Sequence, residues 1–496
     1  MHDGMFDIAI IGGGINGCAI AADAALRGLK VILFEKNDIA GGTSSNSTKL
    51  IHGGLRYLSQ WHFAWVRKAI RERQRLLNNA PHIVHPIPLV FTKSLEVTMP
   101  DWTMRCGLFL YDHLSRYNHL PKSQQVNREV FPEYFSPLDL NMNEGFLLYD
   151  AQTNDARLTI ANAQQAKRAG AHIVPQAEVF RAQAHKTHWN VEIQPSRADA
   201  YTIQTKVLIN AAGPWVNTVH DILGVPSPYP MAYVQGTHIL LDALYEQSQG
   251  YMFTCPDRRI IFVLPYQGYT LIGTTETPLA SMPEYPTVLD EEVDYLCRMA
   301  SQYMQKPIDS SGILQTWCGI RGLIQSNTLD AHTLDRSHTI HRSKHPAPLI
   351  SIYGGKLTTH RLLAQEVLDP LRKIFPTLVP CSTAHRVLPG SENFADIQTL
   401  KEKFAFLPVV LLHRYITTYG SNIATLLENC HTLDDLGQDF GHGLYQKEVE
   451  YLWEHEWART PEDILWRRTL LGVEWRSDDI KALIDFLKRG CSGFVS

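Results

Sequence analysis

Asp7-Ile8-Ala9-Ile10-Ile11-Gly12-Gly13-Gly14-Ile15-Asn16-Gly17 decides the fold. Ile8–Ile11 is a short apolar run, the pattern of a strand buried on both faces. It runs directly into three glycines. Residues Asn16 to Arg27 are rich in alanine and lack proline, so they read as a helix, and Gly28 stops it at the position where a left-handed residue is favoured. Lys30–Phe34 is a second apolar strand, ending at Glu35. Strand, glycines, helix, strand and acid in this order form the fingerprint of a dinucleotide site. Gly12 makes the tight turn, Gly14 lets the backbone approach a pyrophosphate, and Gly17 lets the helix pack closely on the strand. The helix N-terminus offers N–H groups and partial positive charge to phosphate. Glu35 lies where a carboxylate accepts hydrogen bonds from ribose hydroxyls. A merely tight strand–helix turn is the competing reading.

The loop that follows, Ala40-Gly41-Gly42-Thr43-Ser44-Ser45-Asn46-Ser47-Thr48-Lys49, is small and hydroxyl-rich. A diffusing NAD needs no such loop after the second strand. A long cofactor held permanently does, and this favours FAD over a plain polar connection. The chain of 496 residues exceeds one ordinary domain, and a composition of 44% hydrophobic and 19% charged residues suits a globular protein. A net charge of −4 gives no global field for nucleic acid. The eight cysteines are scattered without a C-x-x-C pair, which argues against structural zinc and a disulfide framework and fits a reducing cytosol. A strand beginning almost at residue 1 leaves no room for a signal peptide. The longest apolar run, Phe404–Leu412, contains Pro408 and is too short to span a bilayer. No metal site is expected.

The segment Thr43-Ser44-Ser45-Asn46-Ser47-Thr48-Lys49-Leu50-Ile51-His52-Gly53-Gly54-Leu55-Arg56-Tyr57-Leu58 closely resembles the respiratory, FAD-linked glycerol-3-phosphate dehydrogenases. Further blocks extend the resemblance over nearly the whole chain. They include Gly107–Leu114, Asp155–Leu158, Asn210–Val216, Gly236–Ile239, Ile272–Thr275, Gly354–Thr359, Tyr419–Asn422 and Asp435–His442. The resemblance implies an α/β fold with a Rossmann-type FAD-binding domain of the D-amino-acid-oxidase-like class. An inserted mixed-sheet substrate domain and an all-helical C-terminal domain complete it. The expected division is 1–90, 140–230 and 325–375 for the FAD domain, 91–139 and 231–324 for the substrate domain, and 390–496 for the helical domain. Besides Gly12, Gly14, Gly17 and Glu35, the resemblance places Ile15, Asn16 and Lys36 on the cofactor, with Thr43, Ser44, Ser45, Lys49 and Leu50 from the loop. Val179, Ala212, Gly213 and Trp215 join them, as do Gly355, Lys356, Leu357 and Thr358. Some of these have a physical reason. Val207–Gly213 is an apolar strand ending in small residues that admit a nucleotide closely. Ser351–Lys356 is a strand, two glycines and the start of helix-forming residues, a second helix N-terminus suited to the charge of a reduced ring.

A phosphomonoester dianion requires several converging cations and donors. Arg56 and Tyr57 follow the flavin loop and are expected to face the ring. Arg321 lies between glycines at the end of a strand-like run. With His238 and Lys356, these match the family's substrate positions. Arg56 as a structural ion-pair partner, His238 as a core histidine and Lys356 as a partner of the flavin N1 region are the competing readings. Two departures from the family's usual pattern stand out: Gly322 where proline is common, which loosens the backbone beside Arg321, and Glu276 where aspartate is common. The implied reaction is hydride transfer from C2 of sn-glycerol 3-phosphate to FAD, giving dihydroxyacetone phosphate. Arg56, Arg321 and His238 are the expected catalytic residues. His238 is the first candidate for the base, because an imidazole titrates near working pH. Arg321 as stabiliser of the developing alkoxide stays open.

The resemblance also implies a quinone acceptor and peripheral attachment to the cytoplasmic face of the inner membrane. Phe63–Asn79 has Phe63, Val66, Ile70 and Leu77 at helical spacing with Arg67, Arg71, Arg73 and Arg75 elsewhere; a solvated face over a core stripe is preferred to a lipid-binding helix. Leu89–Leu110 mixes Phe91, Leu95, Trp102, Phe109 and Leu110 with Lys93 and Arg105, a composition that suits an interface. From about Ser391 onward helical patterns dominate. Thr460-Pro461-Glu462-Asp463 reads as a helix start. Packing, dimerisation or partner docking by this part all stay open, and a homodimer is among them. The rival functions are an oxidase using dioxygen, an amino-acid oxidase with a carboxylate clamp, and a non-enzymatic flavin-binding regulator.

Overall fold

A computed structural model describes residues 4–58, 61–92, 101–325, 338–344, 346–394, 397–476 and 480–490, with residues 56, 57, 101 and 490 described by backbone only. Phe6–Ile11 is the central strand of the first sheet. It pairs in parallel with Val31–Phe34 on one side (Ile8 opposite Val31) and with Tyr201–Asn210 on the other (Ile8 opposite Val207). The strands run in the order Thr339–Ser343, Leu349–Tyr353, Tyr201–Asn210, Phe6–Ile11, Val31–Phe34, His172–Val174. The antiparallel hairpin Ala177–Ala184 and Trp189–Pro195 continues from Tyr201–Asn210.

Alternation along these strands gives each face its own core. Ile8, Ile10, Val31, Leu33, Val207 and Ile209 pack under the helices Ile15–Leu26, Asp155–Arg168 and His360–Leu368. Phe6, Ala9, Ile32, Phe34 and Leu208 pack under the hairpin with Trp189. Burial on both faces explains the unbroken apolar runs. The helix Ile15–Leu26 is small-residue-rich because it lies directly on the sheet: a Cβ on Gly17 would stand 2.0 Å from the carbonyl oxygen of Gly12. Gly28 follows the helix at φ +86°.

The second sheet runs Thr277–Leu279, Met231–Asp242, Tyr269–Gly273, Ile260–Tyr266, Gly250–Thr254, Val84–Thr92, Glu144–Thr153, Leu50–Ile51. Ile313–Ile324 lies along Met231–Asp242, and Gln124–Asn127 along Glu144–Thr153. This departs from the expected division at 90/91 and 139/140. Val84–Thr92 and Glu144–Thr153 pair antiparallel with one another in the second sheet, and Leu50–Ile51 joins them. Their apolar runs carry no mark of which sheet receives them. Only pairing between segments some sixty residues apart decides it.

The C-terminal part is helical, with a core of its own around Tyr415, Tyr419, Val449, Leu452 and Leu465. At the expected helix start, the Asp463 carboxylate accepts the backbone N–H groups of Arg459 (2.8 Å) and Thr460 (2.9 Å), and the Asp463 N–H donates to the Thr460 hydroxyl (3.2 Å). A π-helix, Asp463–Arg468, follows. Phe63–Asn79 is a helix burying Val66, Ala69, Ile70 and Leu76. Arg73 is not on its solvated face, as the pattern had it, but wholly buried and ion-paired with Asp150. No helix among the described residues is long and apolar enough to cross a membrane.

Candidate active site

One cavity of about 1580 Å³ runs between the two sheets. It opens at the C-terminal ends of Phe6–Ile11 and Tyr201–Asn210, where the connections leave the sheet in opposite directions, the usual ligand position of such sheets. Gly12, Gly14, Ile15, Asn16, Glu35, Lys36, Val179, Ala212, Gly213 and Trp215 line it from the first sheet. Gly12 is left-handed, at φ +114°. Gly14 stands at the N-cap and contributes no capping side chain, so the first turn of the helix faces the cavity with its own N–H groups. Glu35 Oε2 accepts the Gly13 N–H at 2.7 Å and Oε1 accepts the Asn37 N–H at 2.8 Å. Burial raises its pKa against the pull of those two donors.

These residues fit a dinucleotide. Asn16 Oδ1 is buried in the cavity wall without a hydrogen-bond partner among the described residues, while its Nδ2 donates to the Gly354 carbonyl at 3.2 Å. An orphaned buried acceptor of this kind is costly unless a ligand donor reaches it. The cleft wall is shaped by small residues: any Cβ on Gly355 (φ +107°) would meet Asn16 Nδ2 at 2.7 Å.

The hydroxyl-rich loop is held by its own side chains. Ser44 Oγ accepts the Ile15 N–H (2.9 Å) and Thr43 Oγ1 donates to the Ile320 carbonyl (2.8 Å), so the loop ties the first sheet to the second. Asp155, at the start of the helix Asp155–Arg168, accepts the Ser47 N–H (2.9 Å), the Ser47 hydroxyl (2.6 Å) and Lys49 Nζ (2.6 Å). Thr43, Ser44, Thr48 and Leu50 reach the cavity. Lys49, Ser45 and Gly17 are not among its lining residues. Lys49 turns inward to Asp155 and the Ser45 carbonyl, and Gly17 serves the contact of helix and strand. Lys49, which the resemblance places on the cofactor, thus pairs with Asp155 and anchors the loop.

The substrate-side wall comes from the second sheet. His238 Nε2 is 3.0 Å from Thr48 Oγ1, and the ring stacks on Trp317 at 6.0 Å and 20°. Gly273 lies against the ring, for a Cβ there would stand 2.1 Å from His238 Cδ2. Burial first, then the charges of Lys49 and Arg321, lower the His238 pKa to about 3. The expectation that this imidazole titrates near neutral pH does not hold, because it is almost fully buried beside two cations. Arg321 Nη1 pairs with Glu276 Oε1 at 3.4 Å and Nη2 donates to the Thr275 carbonyl at 3.3 Å. Gly322 follows Arg321 on the strand Ile313–Ile324. It sits in register opposite Tyr233 and packs on Pro214, where a Cβ would stand 3.0 Å from Pro214 Cα. Lys356, Leu357 and Thr358 reach the cavity, and Lys356 Nζ lies 3.9 Å over the Trp65 ring.

The fold thus brings His238, Arg321 and Lys356 to one cavity with the fingerprint residues. Arg56 and Tyr57 fall in the 3₁₀ turn Leu55–Leu58, and their side chains lie outside the described residues. Sequence reading passed over Thr48 and Glu276 as site residues. Thr48 stood inside the quoted loop, but only the fold sets it against a histidine 190 residues away. At its far end the cavity is apolar, with Leu58, Phe91, Met104, Leu110, Met252 and Phe262 on its walls. Trp61 lines the cavity and is 79% exposed; Trp102 and Phe109, on the helix Asp101–His113 whose Met104 and Leu110 line it, are 69% and 62% exposed. Lys93 and Leu95 lie outside the described residues.

Comparison with known proteins gives the family and the fold. Residues 7–367 match the family model of FAD dependent oxidoreductases, and residues 381–487 match the C-terminal domain of alpha-glycerophosphate oxidase. The chain is 40% identical to a glycerol-3-phosphate dehydrogenase of Pseudomonas aeruginosa, over 95% of this chain and 92% of the relative. It is 37% identical to a D-erythritol 1-phosphate dehydrogenase of Brucella abortus, over 93% and 94%. Among solved structures, the glycerol-3-phosphate dehydrogenase of Bacillus halodurans complexed with FAD superposes with a TM-score of 0.79 at 26% identity, covering 99% of this chain and 92% of that one.

Proposed function

The chain belongs to the FAD-dependent oxidoreductases, among the glycerol-3-phosphate dehydrogenases, and from that premise we propose that it oxidises sn-glycerol 3-phosphate to dihydroxyacetone phosphate and hands the electrons to a membrane quinone. One observation carries the reading: His238, Arg321 and Lys356 meet in the same cavity as the Gly12–Glu35 nucleotide cleft. An amino-acid oxidase would need a carboxylate clamp. Two cations beside an imidazole suit a phosphate monoester.

The residues divide the work as follows. FAD, when bound, supplies the acceptor for the hydride from C2. Gly12, Gly14 and the N–H groups of the first helical turn would hold its pyrophosphate region, Glu35 a ribose and Gly355–Thr358 the ring end, with Asn16 Oδ1 free to accept from a cofactor hydroxyl or N–H. Arg321 and Lys356, with Arg56 and Tyr57 from the adjoining turn, hold the phosphate. Fixing C2–H in this way contributes on the order of 7–11 kcal/mol to the rate. The hydroxyl proton leaves to the Thr48–His238 pair. His238 is neutral before substrate arrives. A phosphate dianion beside Arg321 offsets that cation, one of the charges that add to burial in depressing the imidazole, so substrate raises its pKa and makes it a better acceptor.

The apolar outer end of the cavity, with exposed Trp61, Trp102 and Phe109 beside it, supports a quinone and a lipid surface on that side. We place the protein on the cytoplasmic face of the inner membrane. The deciding experiment is anaerobic titration of the yellow protein with glycerol 3-phosphate, with D-erythritol 1-phosphate and unphosphorylated glycerol in parallel. Bleaching at lower concentration with glycerol 3-phosphate is expected, and preference for either other alcohol overturns the substrate. Reoxidation by a short-chain quinone without peroxide is expected; stoichiometric peroxide in air with no response to quinone assigns an oxidase instead.

A further inference from the structure

Glu292 lies outside the cavity, on the helix Asp290–Ser301, and is buried. Four side chains donate to its carboxylate. Oε2 accepts Gln235 Nε2 at 2.8 Å and the Thr237 hydroxyl at 2.6 Å. Oε1 accepts the Thr275 hydroxyl at 2.7 Å and the Thr277 hydroxyl at 2.6 Å. The pattern follows the strand period of two. Gln235 and Thr237 point to Glu292, while Gly236 and His238 between and beside them line the cavity. Thr275 and Thr277 point to Glu292, while Thr274 and Glu276 line the cavity.

The place of this bridge is telling. Met231–Asp242 pairs with Tyr269–Gly273 from His238 onward and with Thr277–Leu279 up to Gln235. In the interval between these two ladders a single backbone bond, Thr275 N–H to the Thr237 carbonyl at 3.3 Å, joins the segments. Glu292 spans this interval, helped by the Thr237 N–H donating to the Thr275 hydroxyl at 2.8 Å. On the opposite face of the interval the fit is tight. A Cβ on Gly236 would stand 2.6 Å from Thr274 Oγ1 and 2.8 Å from Arg321 Nη2. Arg321 is held by Glu276 and the Thr275 carbonyl.

We propose that Glu292 is a positioning residue of the reaction: its carboxylate replaces the missing ladder and sets the spacing of His238 against the Arg321–Glu276 pair. Its charged form is favoured there. Burial alone would raise its pKa, but the donors Thr237, Thr277, Thr275 and Gln235 together bring it below the ordinary value. E292Q keeps the volume but removes the charge, and one oxygen becomes an NH₂, so that the Thr275 and Thr277 hydroxyls must turn from donating to accepting and the clamp on the two segments weakens.

The inference rests on the proposed oxidation of glycerol 3-phosphate, and the test separates the two. FAD-loaded wild type, E292Q and Thr277→Val are compared for flavin content, dithionite reduction, melting temperature and anaerobic reduction by glycerol 3-phosphate. E292Q is expected to keep its flavin and its dithionite reduction. It is expected to lose about tenfold or more in both substrate affinity and limiting reduction rate, with Thr277→Val between it and wild type. A lower melting temperature with affinity and rate within about twofold of wild type overturns the proposal. If wild-type protein is not reduced by glycerol 3-phosphate, the functional reading falls. Glu292 is then judged by the flavin spectral shift on adding inorganic phosphate: a weaker response in E292Q supports the proposal, an equal one overturns it.

Discussion

Gly273 and His238 show how much of the site is decided by the absence of a side chain. A methyl group at 273 would overlap the imidazole, so Gly273→Ala displaces the ring from Thr48. Displacement on the order of 1 Å costs roughly a hundredfold in rate. We expect that loss in flavin reduction by substrate, with dithionite reduction unchanged, and a near-normal rate would place the chemistry elsewhere. The burial of His238 has a second consequence. Its pKa falls from 6.5 to about 3 on folding, so across that interval the unfolded chain takes up a proton that the folded one refuses. Stability is therefore complete above the upper value and declines as pH falls, at about 1.4 kcal/mol per unit. His82 behaves likewise, at about 3. Melting temperature should drop between pH 7 and 5, and His238→Asn should lessen the slope. An unchanged slope would remove His238 from the account.

At the scale of elements, three segments converge on Gly53. Its N–H donates to Tyr111 Oη (2.8 Å) and to Asp150 Oδ1 (3.1 Å), Tyr111 donates to the same oxygen (2.7 Å), and Arg73 pairs with Asp150. The helix Phe63–Asn79, the helix Asp101–His113 and the strand Glu144–Thr153 thus meet beneath the turn that carries Arg56 and Tyr57. Asp150→Leu leaves a fully buried guanidinium without its counter-charge, which costs about 3–5 kcal/mol. Denaturant unfolding should show that loss, and a change under about 1 kcal/mol would mean that water reaches Arg73. The helical spacing of Phe63–Asn79 was legible in the sequence, but not that one of its arginines points inward. Period alone assigns Arg73 to the polar face, and the buried acid that recruits it lies seventy-seven residues away.

Across the whole molecule, the helical C-terminal part is fastened to the nucleotide domain by charge. Arg468 donates to both oxygens of Asp38 at 2.7 Å, Arg467 reaches the same carboxylate at 2.6 Å, and Glu456 pairs with Arg157. Asp38 sits three residues beyond Glu35; burial alone would raise its pKa, but Arg468 and Arg467 together hold it below the ordinary carboxylate range. The C-terminal part therefore braces the turn between Glu35 and the hydroxyl-rich loop. Arg468→Met should weaken FAD retention by about tenfold or more, since a lost buried pair costs more than 1.4 kcal/mol. Flavin release in mild urea measures it, and release at the wild-type concentration would make the fastening purely structural.

The chain's local order alone determined the nucleotide half: an apolar run, three glycines, an alanine-rich helix, a second run and Glu35 are contiguous, and their chemistry acts within that short stretch. The inserted mixed-sheet domain was implied by the family resemblance of the ordered blocks, and the helical end by the change of pattern after about Ser391. Which sheet receives Val84–Thr92 and Glu144–Thr153 was not, nor that Lys49 is consumed by Asp155, nor that His238 is too deeply buried to titrate near neutral pH. Those outcomes depend on desolvation and on charges brought close by folding. Both are properties of neighbours in space, and no spacing along the chain encodes them.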